Sequence, residues 1–410
     1  MSEQAQFDLI IVGAGPAGSA ETLYAAKIGL RVLLLDKASF PRDKVCGDAL
    51  SGKAVDVLKE LDLLEGVRNL PGAAINRIIF GSPDGSALNI NLAESELNQI
   101  PEGFVIRRAV FDQFMFDRAR EVAAECHENF TVTDITIEDD QVRGVTGTPG
   151  DSGESVSYRA PITFGADGYR SIVARKLGLY RHDPKHVVVA LRQYYQGIEG
   201  LTDQIELHFI DEVNPGYFWL FPLEDGTANI GIGMLHRAIK HQKDDLKQAL
   251  ARSIASPRFR ERFSHAVPLE DPVGWNLPVG SKHYPSVGNG FMLLGDAAGL
   301  IDPFTGEGIG NALYSARYAV MAASAALTAG DYSRESLSEY DRQLWSKIGH
   351  ELRVSTRLQK IGHWPRILNF VIKKAEKNRE LANLIAGMIA NEVPRNRLAN
   401  PLFYLRLLFK

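Results

Sequence analysis

Three glycines near the start of the chain have the spacing of a phosphate-binding turn. Gly13, Gly15 and Gly18 form G-x-G-x-x-G between an apolar segment and a helical one. The first glycine permits the tight bend, the second lets the backbone approach a pyrophosphate, and the third allows close packing of helix on strand. The helix N-terminus that follows, with Pro16 and Ala17, favours negative charge. The pattern therefore predicts a dinucleotide site.

An acidic residue follows at the distance that a dinucleotide fold requires. Asp36 lies 18 residues after Gly18 and closes the next apolar segment. A carboxylate in that position accepts hydrogen bonds from ribose hydroxyls. Lys37 comes directly after it. We expect Asp36 and Lys37 to contact the adenosine half of the dinucleotide.

Two later segments place carboxylates at the ends of apolar strands. Asp167 and Gly168 follow one such strand and precede a short helix. Gly295 and Asp296 follow another, ahead of a glycine-rich loop. In an open α/β sheet, ligands bind at the carboxyl ends of the strands. Asp296 is well placed to accept a hydrogen bond from a ribityl chain, so FAD is the predicted dinucleotide.

The elements that position these residues alternate between strand and helix. The first βαβ unit is predicted as a strand at 7–12, a helix at 16–28 and a strand at 31–35. Further on, the pattern predicts a helix at 108–125, a meander at 130–165, antiparallel strands at 185–235, a helix at 308–329, and helices from 337 onward. The expected fold class is α/β: an FAD-binding Rossmann-like domain, an inserted antiparallel-sheet substrate domain and a C-terminal helical region.

The same pattern gives a domain division. Residues 1–75, 101–182 and 285–330 are assigned to a discontinuous FAD-binding domain. Residues 76–100 and 183–284 form the substrate domain, and residues 331–410 form the helical region.

Composition excludes several classes of protein. The chain has 410 residues, 45% of them hydrophobic, and a net charge of −4, so nothing favours nucleic acid as a partner. Its two cysteines, Cys46 and Cys126, fit a reducing compartment and leave no disulfide framework or credible structural zinc site. We find neither a signal peptide nor an apolar run of about 18 residues, the length that a membrane span needs. A cytoplasmic location is predicted.

Taken together, the three FAD segments resemble the fold of aromatic hydroxylases and their relatives over residues 5–330. Within that group, two further segments resemble the geranylgeranyl reductase family. They are P-x-x-K-x-C-G at 41–47, which contains Cys46 and Gly47, and Y-x-W-x-F-P at 217–222, which contains Tyr217, Trp219, Phe221 and Pro222.

The resemblance implies roles for particular residues. Arg108 would lie near the ADP portion of FAD, and Gly306, Gly308 and Ile309 would lie against the isoalloxazine edge. Gly306 and Gly308 open a helix, whose N–H groups would stabilise negative charge on the reduced flavin. Cys46 would face flavin and substrate and take part in proton delivery or substrate positioning. The alternative for Cys46 is a small hydrophobic residue in a buried loop.

The resemblance also implies an activity. The favoured function is an FAD-dependent reductase that saturates carbon–carbon double bonds of a prenyl or polyprenyl lipid. Tyr217, Phe218, Trp219, Phe221 and Pro222 would line the substrate slot, although they could equally form a packed sheet face. The alternative function is a flavin-dependent monooxygenase that hydroxylates an aromatic or lipid-like substrate, and a third is a non-catalytic isoprenoid carrier. No second dinucleotide motif is visible, so the electron donor would be a docked NAD(P)H or a ferredoxin-like protein.

The C-terminal region is basic and amphipathic. Residues 360–410 hold ten Lys or Arg and three Asp or Glu, with apolar residues recurring throughout. Such a segment can lie on the anionic inner face of a membrane. It can equally bury its apolar face over the substrate cavity, and either arrangement fits a lipid-like substrate.

Overall fold

The computed structural model describes residues 7–91, 103–150, 153–239, 245–379 and 381–382. Its strands, in chain order, are β1 (Leu9–Val12), β2 (Val32–Leu35), β3 (Ala49–Leu50), β4 (Ala73–Ile75), β5 (Arg77–Gly81), β6 (Ala87–Asn91), β7 (Gly103–Val105), β8 (Glu125–His127), β9 (Phe130–Glu138), β10 (Gln141–Pro149), β11 (Val156–Arg159), β12 (Ile162–Gly165), β13 (Val187–Gln196), β14 (Gln204–His208), β15 (Gly216–Pro222), β16 (Thr227–Leu235), β17 (Val267–Pro268), β18 (Val273–Pro278), β19 (Val287–Gly288) and β20 (Phe291–Leu293). The helices are α1 (Pro16–Lys27), α2 (Gly52–Glu60), α3 (Leu64–Arg68), α4 (Arg108–Val122), α5 (Ile172–Lys176), α6 (His236–Ile239), α7 (Leu246–Ala255), α8 (Ile309–Ala329), α9 (Arg334–Ile361) and α10 (Pro365–Lys377).

A six-stranded sheet in the order β19-β20-β12-β1-β2-β8 contains the strands of the predicted FAD-binding segments. All neighbours are parallel except β19 and β20. The register pairs Val12 with both Leu35 and Gly165, and Gly165 with Leu293. The residues that follow these strand ends therefore meet at one edge of the sheet. The predicted Rossmann-like fold is confirmed.

Burial explains why β1 and β2 form this sheet. Every residue of both strands is buried, as expected for parallel strands covered on both faces. Pro16 occupies the first turn of α1, where its missing N–H costs no hydrogen bond. The alanine-rich α8 packs closely against α1, which fixes the glycine turn between β1 and α1.

The second large sheet has eight strands, in the order β17-β13-β16-β15-β14-β5-β6 with β18 also pairing to β13. Its pairs are antiparallel apart from β14 with β5. Strands β5 and β6 come from a segment well before the other six, so two separate parts of the chain build one sheet. We propose that this sheet is the substrate domain predicted at 76–100 and 183–284.

Of two sequence predictions about elements, one was wrong at its C-terminal end and the other is confirmed in part. The helix predicted at 108–125 ends at Val122, because Cys126 pairs with Leu34 as part of β8. Cys126 is therefore in an edge strand of the sheet and not at a helix end. The meander predicted at 130–165 is confirmed for β9, β10 and β11, which form a three-stranded antiparallel sheet in chain order, while β12 joins the parallel sheet beside β1.

The last described helices close one side of the molecule. Helix α9 packs against α8 and β19, and α10 packs against β6 of the second sheet. None of the helices within the described residues is both long and apolar enough to cross a bilayer. The predicted membrane-contacting region falls partly on residues 383–410, which lie outside the described residues.

Candidate active site

The glycine turn after β1 is shaped by backbone crowding on one side and is open on the other. Gly13 has φ +101°, and a Cβ there would lie 2.6 Å from the Ala166 carbonyl oxygen. A Cβ at Gly18 would lie 1.8 Å from the Gly13 carbonyl oxygen. A Cβ at Gly15 would meet only the end of the Arg42 side chain, 3.3 Å away. The first and third glycines are thus required by packing, and the second leaves the backbone open to a ligand.

Asp36 braces this turn from the end of β2. Its Oδ2 accepts a hydrogen bond from the Ala14 N–H at 2.7 Å, and its Oδ1 accepts one from the Ala38 N–H at 2.8 Å. Lys37 is exposed beside it. A carboxylate has further lone pairs beyond these two bonds, so a ribose contact by Asp36 remains a proposal that fits the geometry.

Asp167 lies at the neighbouring strand end, after β12. Its Oδ2 accepts a hydrogen bond from the Ile172 N–H at 2.6 Å, while its buried Oδ1 has no partner among the described residues. Burial raises the pKa of this carboxyl. Gly168 has φ +75°, which suits glycine at this bend. The unpartnered oxygen leaves a buried acceptor available to a ligand hydroxyl.

Asp296 lies at the next strand end and is paired with a distant lysine. Its Oδ2 is 2.8 Å from Lys44 Nζ. The N–H of Gly295 donates to Ser315 Oγ at 3.1 Å, which anchors the turn to α8. This ion pair brings the 41–47 segment to the carboxyl edge of the parallel sheet.

Arg108 is locked by two hydrogen bonds to Asp112. Its Nε and Nη2 lie 2.6 and 2.7 Å from the two oxygens of Asp112, and Arg42 Nη1 lies 2.8 Å from one of them. Although burial alone would raise the pKa of Asp112, the Arg108 guanidinium holds it below its usual range. Arg108 lines a cavity that also contains Cys46. The side chain thus lies where the 41–47 segment meets the eight-stranded sheet, and its contact with the ADP portion stays a prediction.

A cavity of about 260 Å³ separates the FAD-type loops from the eight-stranded sheet. On the loop side it is lined by Pro16, Lys44, Cys46, Gly47, Asp296, Gly306, Gly308 and Ile309. On the sheet side most lining side chains are apolar, among them Leu207, Phe209, Tyr217, Trp219, Phe221 and Leu277. The predicted flavin-edge residues and the predicted substrate wall therefore face each other across one space.

Strand alternation decides which residues of β15 line the cavity. Tyr217, Trp219 and Phe221 face it. Phe218 lies on the opposite face, where it is fully buried in a separate apolar cluster with residues of α7. Pro222 follows the same alternation and is not among the lining residues. Phe218 and Pro222, which the sequence analysis placed in the substrate slot, therefore do not line this cavity, since successive side chains of a strand point to opposite faces.

The Gly306 loop is held by Tyr217. The Tyr217 hydroxyl donates to the Thr305 carbonyl oxygen at 2.8 Å. Gly306 has φ +76°, and a Cβ there would lie 2.9 Å from the same hydroxyl. The backbone conformation and the close approach of the Tyr217 hydroxyl thus both favour glycine at this position.

Several N–H groups at this helix start already have protein acceptors. Gly306 N donates to the Asp302 carbonyl oxygen at 3.1 Å, Glu307 N to Thr305 Oγ1 at 3.2 Å, and Gly310 N to Glu307 Oε1 at 2.6 Å. The predicted charge-stabilising role of the loop would then fall to the N–H groups of Gly308 and Ile309, at the start of α8.

Sequence reasoning missed three polar residues that support the site. Asp48 and Asn229 hydrogen-bond to each other at 2.7 Å, and Asp48 also accepts from Tyr194. All three are buried. Asp48 directly follows the predicted Cys46-Gly47 pair, and Asn229 lies just beyond the Y-x-W-x-F-P segment. Proximity to those motifs was the available signal.

These residues fit FAD on structural grounds. The open face of Gly15, the unpartnered buried oxygen of Asp167 and the Lys44–Asp296 pair lie around the same sheet edge, as a pyrophosphate and a polyol chain require. The family described as the FAD binding domain matches residues 6–344.

Similar proteins narrow the assignment. The chain is 33% identical over 358 residues to a digeranylgeranylglycerophospholipid reductase of Methanosarcina mazei, covering 85% of this chain and 83% of that protein. A geranylgeranyl bacteriochlorophyll reductase-like structure from Thermoplasma acidophilum superposes with a TM-score of 0.82 at 25% identity, covering 94% and 97% of the two chains. This chain belongs to the geranylgeranyl reductase family of FAD-dependent oxidoreductases.

Two further comparisons set the limits of that assignment. The chain is 30% identical over 400 residues to a menaquinone reductase of Mycobacterium tuberculosis, covering 96% of this chain and 93% of that protein. A flavin-dependent brominase superposes with a TM-score of 0.78 at 20% identity, over 98% and 99% of the chains, which shows a shared fold only. The family's fold thus serves more than one chemistry.

Proposed function

We propose that this protein saturates carbon–carbon double bonds of a geranylgeranyl-type prenyl lipid. The observation that carries the proposal is the cavity, because its sheet side is apolar and its loop side holds Cys46 and the Gly306 loop. An unactivated alkene offers no polar group for recognition, so it needs an apolar slot that excludes water. The names of two relatives, a digeranylgeranylglycerophospholipid reductase and a menaquinone reductase, support a prenyl chain as substrate.

The cofactor would be held by residues at one edge of the parallel sheet. Gly13, Gly15 and Gly18 with Pro16 and Ala17 would contact the pyrophosphate, and Asp36 with Lys37 the adenosine ribose. Asp167, Gly168, Gly295 and Asp296 would contact the ribityl–pyrophosphate region. Cys46, Gly47, Gly306, Gly308 and Ile309 would border the isoalloxazine. When bound and reduced, FAD supplies a hydride to one carbon of the double bond.

The second carbon of the double bond needs a proton, and Cys46 is the proposed donor. Burial raises the pKa of its thiol, although the Arg108 guanidinium opposes that effect. The thiol therefore holds its proton on Sγ at neutral pH. Cys46 lines the cavity from the loop side, opposite the aromatic wall of Tyr217, Trp219 and Phe221. That wall would hold the chain against the loop and keep water out.

The electron donor is proposed to be NAD(P)H or a ferredoxin-like protein that docks transiently. The chain has one G-x-G-x-x-G segment placed between a strand and a helix, and that segment opens the FAD part. A second dinucleotide domain is not seen among the described residues. A donor that binds at the surface fits this organisation.

Anaerobic turnover tests the proposed function. The bound flavin is reduced without oxygen, a geranylgeranyl phospholipid is added, and reoxidation is followed by absorbance. The matched control is the fully saturated phospholipid. We expect reoxidation with the unsaturated lipid alone. Equal rates with both lipids would contradict the proposal. No reoxidation until oxygen is admitted would also contradict it and would favour the monooxygenase.

We also propose that the protein contacts the inner face of a membrane through α10. Trp364, Ile367 and Phe370 are 64%, 44% and 49% exposed on one side of this helix. Its opposite side buries Leu368 and Ile372 in the apolar cluster that also contains Trp219. Among the described residues the other side is therefore uncovered, and basic residues follow it along the helix, including Lys374 and Lys377.

The position of α10 relative to the cavity supports this contact. Gln359 and Gly362 line the cavity, and α10 begins three residues after Gly362. A lipid leaving a membrane at this helix would have a short path to the cavity. Flotation with anionic vesicles at low salt tests the proposal, with Trp364→Ser as the variant and Met321→Ser, 50% exposed on α8, as the control. Absence of flotation, or equal flotation of both variants, would contradict it.

A further inference from the structure

A single buried side chain joins the aromatic wall of the cavity to the turn that carries Cys46. Asn229, on β16, is fully buried. Its Nδ2 donates to the Cys46 carbonyl oxygen at 2.8 Å and to Asp48 Oδ2 at 2.7 Å. Its Oδ1 accepts from Trp219 Nε1 at 2.9 Å. Both amide hydrogens and the amide oxygen of Asn229 are therefore used.

Asp48 fixes the direction of that amide. Its carboxylate is fully buried and accepts from Asn229 Nδ2 and, at 2.7 Å, from the Tyr194 hydroxyl. The backbone at Asp48 has φ +65°, a left-handed conformation that is uncommon for non-glycine residues and that aspartate adopts more readily than most. The Asp48 carbonyl oxygen also accepts from Ile106 N at 3.0 Å. Since a carboxylate accepts and does not donate, the Asn229 oxygen must point to Trp219.

Packing and one hydrogen bond fix the position of the Trp219 ring. Its indole lies directly over Gly231 of β16, where an added Cβ would come within 2.3 Å of Cζ2. Because Gly231 has no side chain, the indole can lie flat against the sheet, and its one polar atom, Nε1, donates to Asn229. A shift of Asn229 would move the edge of the ring that lines the cavity.

We propose that Asn229 is a positioning residue that sets the separation between the Trp219 wall and the Cys46 turn. The role rests on the proposed function, since that separation determines which bond of a prenyl chain lies beside Cys46. Asn229 does not line the cavity, so it would contact neither the Cys46 sulfur nor the prenyl chain of the substrate. It acts through Trp219 on one side and the Cys46 carbonyl on the other.

The two cysteines allow a direct test in the holoenzyme. Cys46 and Cys126 are the two cysteines of the chain, so Cys126 is an internal reference for alkylation measured by mass spectrometry. Trp219→Phe keeps an aromatic ring and removes the indole N–H. It leaves Asn229 Oδ1 without its donor, and we expect the Cys46 to Cys126 alkylation ratio to rise about threefold. Asn229→Ala loses the direct bond to Cys46 and should raise the ratio about tenfold.

A second measurement detects whether a change at Tyr194 is transmitted through Asp48 and Asn229 to Trp219. With ¹⁵N-labelled tryptophan, the four tryptophans of the chain give four indole signals, and Trp219→Phe identifies one of them. Tyr194→Phe removes a donor to Asp48 without touching Trp219. We expect it to shift the Trp219 indole signal. Trp345→Phe, which removes an indole stacked on His283 at 4.0 Å, is the matched control and should change neither readout.

The outcomes separate this inference from the proposed function. An unchanged alkylation ratio in Trp219→Phe, together with an unmoved Trp219 signal in Tyr194→Phe, overturns the positioning role, provided both variants keep their circular dichroism and FAD content. If FAD shields Cys46 from alkylation in every variant, the indole signal decides alone. Neither readout requires turnover. If both readouts change as expected but the enzyme reduces no prenyl lipid, the proposed function is refuted and the positioning role of Asn229 stands. With function and coupling both present, Asn229→Ala should change which bonds of the chain are reduced.

Discussion

Replacing Gly15 by alanine separates the demands of the fold from those of the cofactor. Gly15 is the residue before α1, with φ −69° and ψ −170°, a conformation that alanine adopts without strain. The added methyl group would meet only Arg42 Nη2 at 3.3 Å, the mobile end of a side chain. Without FAD the substitution therefore needs a shift of a few tenths of an ångström at most.

The effect on stability without FAD is expected to be small. Alanine is a poorer helix N-cap than glycine, at a cost of up to about 1 kcal/mol. The unfolded chain loses conformational freedom when glycine is replaced, which offsets about 0.4–1 kcal/mol. The two effects nearly cancel, so the urea midpoint of the apoprotein should change little.

The effect on FAD affinity is expected to be much larger. The methyl group would occupy the face of the turn that the pyrophosphate must approach, and such overpacking costs about 1–3 kcal/mol. This cost corresponds to a dissociation constant for FAD that is larger by about fivefold to 150-fold. Quenching of flavin fluorescence on binding measures that constant directly.

A second glycine serves as the control. Gly274→Ala in β18 adds a methyl 3.1 Å from Leu191 Cδ2, another flexible side-chain end, outside the FAD edge. It should leave the FAD affinity unchanged. The reasoning is refuted if Gly15→Ala binds FAD as tightly as the wild type, or if its apoprotein is destabilised as strongly as its FAD affinity falls.

Three other predictions concern charges and the thiol. Glu21 is fully buried with neither oxygen partnered among the described residues, and burial raises its pKa well above the usual value. Because the pKa of Glu21 is higher in the folded state, ionisation opposes folding more and more as the pH rises above the unfolded value of about 4.3. Glu21→Met should therefore raise the free energy of unfolding by more than about 1 kcal/mol at pH 7 and by less at pH 4, as measured by urea titration. Equal effects at both pH values would contradict this. Lys44→Met breaks the pair with Asp296 at 2.8 Å and should weaken FAD binding about tenfold at low salt, with a smaller effect at high salt. Cys46→Ser should keep FAD bound and slow lipid-dependent reoxidation about a hundredfold, whereas Cys126→Ser should leave it unchanged; wild-type kinetics in Cys46→Ser would remove Cys46 from the proton step.

The FAD edge was predictable because its determinants are local. Gly13, Gly15 and Gly18 lie within one turn, and the strands on either side are wholly buried, so a run of apolar residues identifies them. Asp167 and Asp296 follow similar runs. Parallel strands end at a common edge, and that rule alone brings the three segments together.

The substrate side was predictable only in part. Alternation along β15 contained the information that Phe218 and Pro222 face away, and applying the two-residue period would have excluded them. The end of α4 was harder, because pairing of Cys126 with Leu34 overrides the helical pattern that precedes it.

The Asn229 network lay beyond sequence reasoning. Its amide contacts Asp48 across 181 positions of the chain, and no periodicity links the two. An asparagine within a strand has many possible partners. The register of β15 with β16 pairs Asn229 with Phe221, and Trp219 is the next residue on the same face of β15. Tertiary packing decides such contacts.

The most direct test of the central claim is the mass of the product formed by the reduced holoenzyme. The fully reduced enzyme is mixed with a geranylgeranyl phospholipid in one turnover, once without oxygen and once in air. We predict a product that gains two hydrogens for each flavin oxidised, formed without oxygen. A product that gains an oxygen atom, and forms only in air, would contradict the account and identify a monooxygenase.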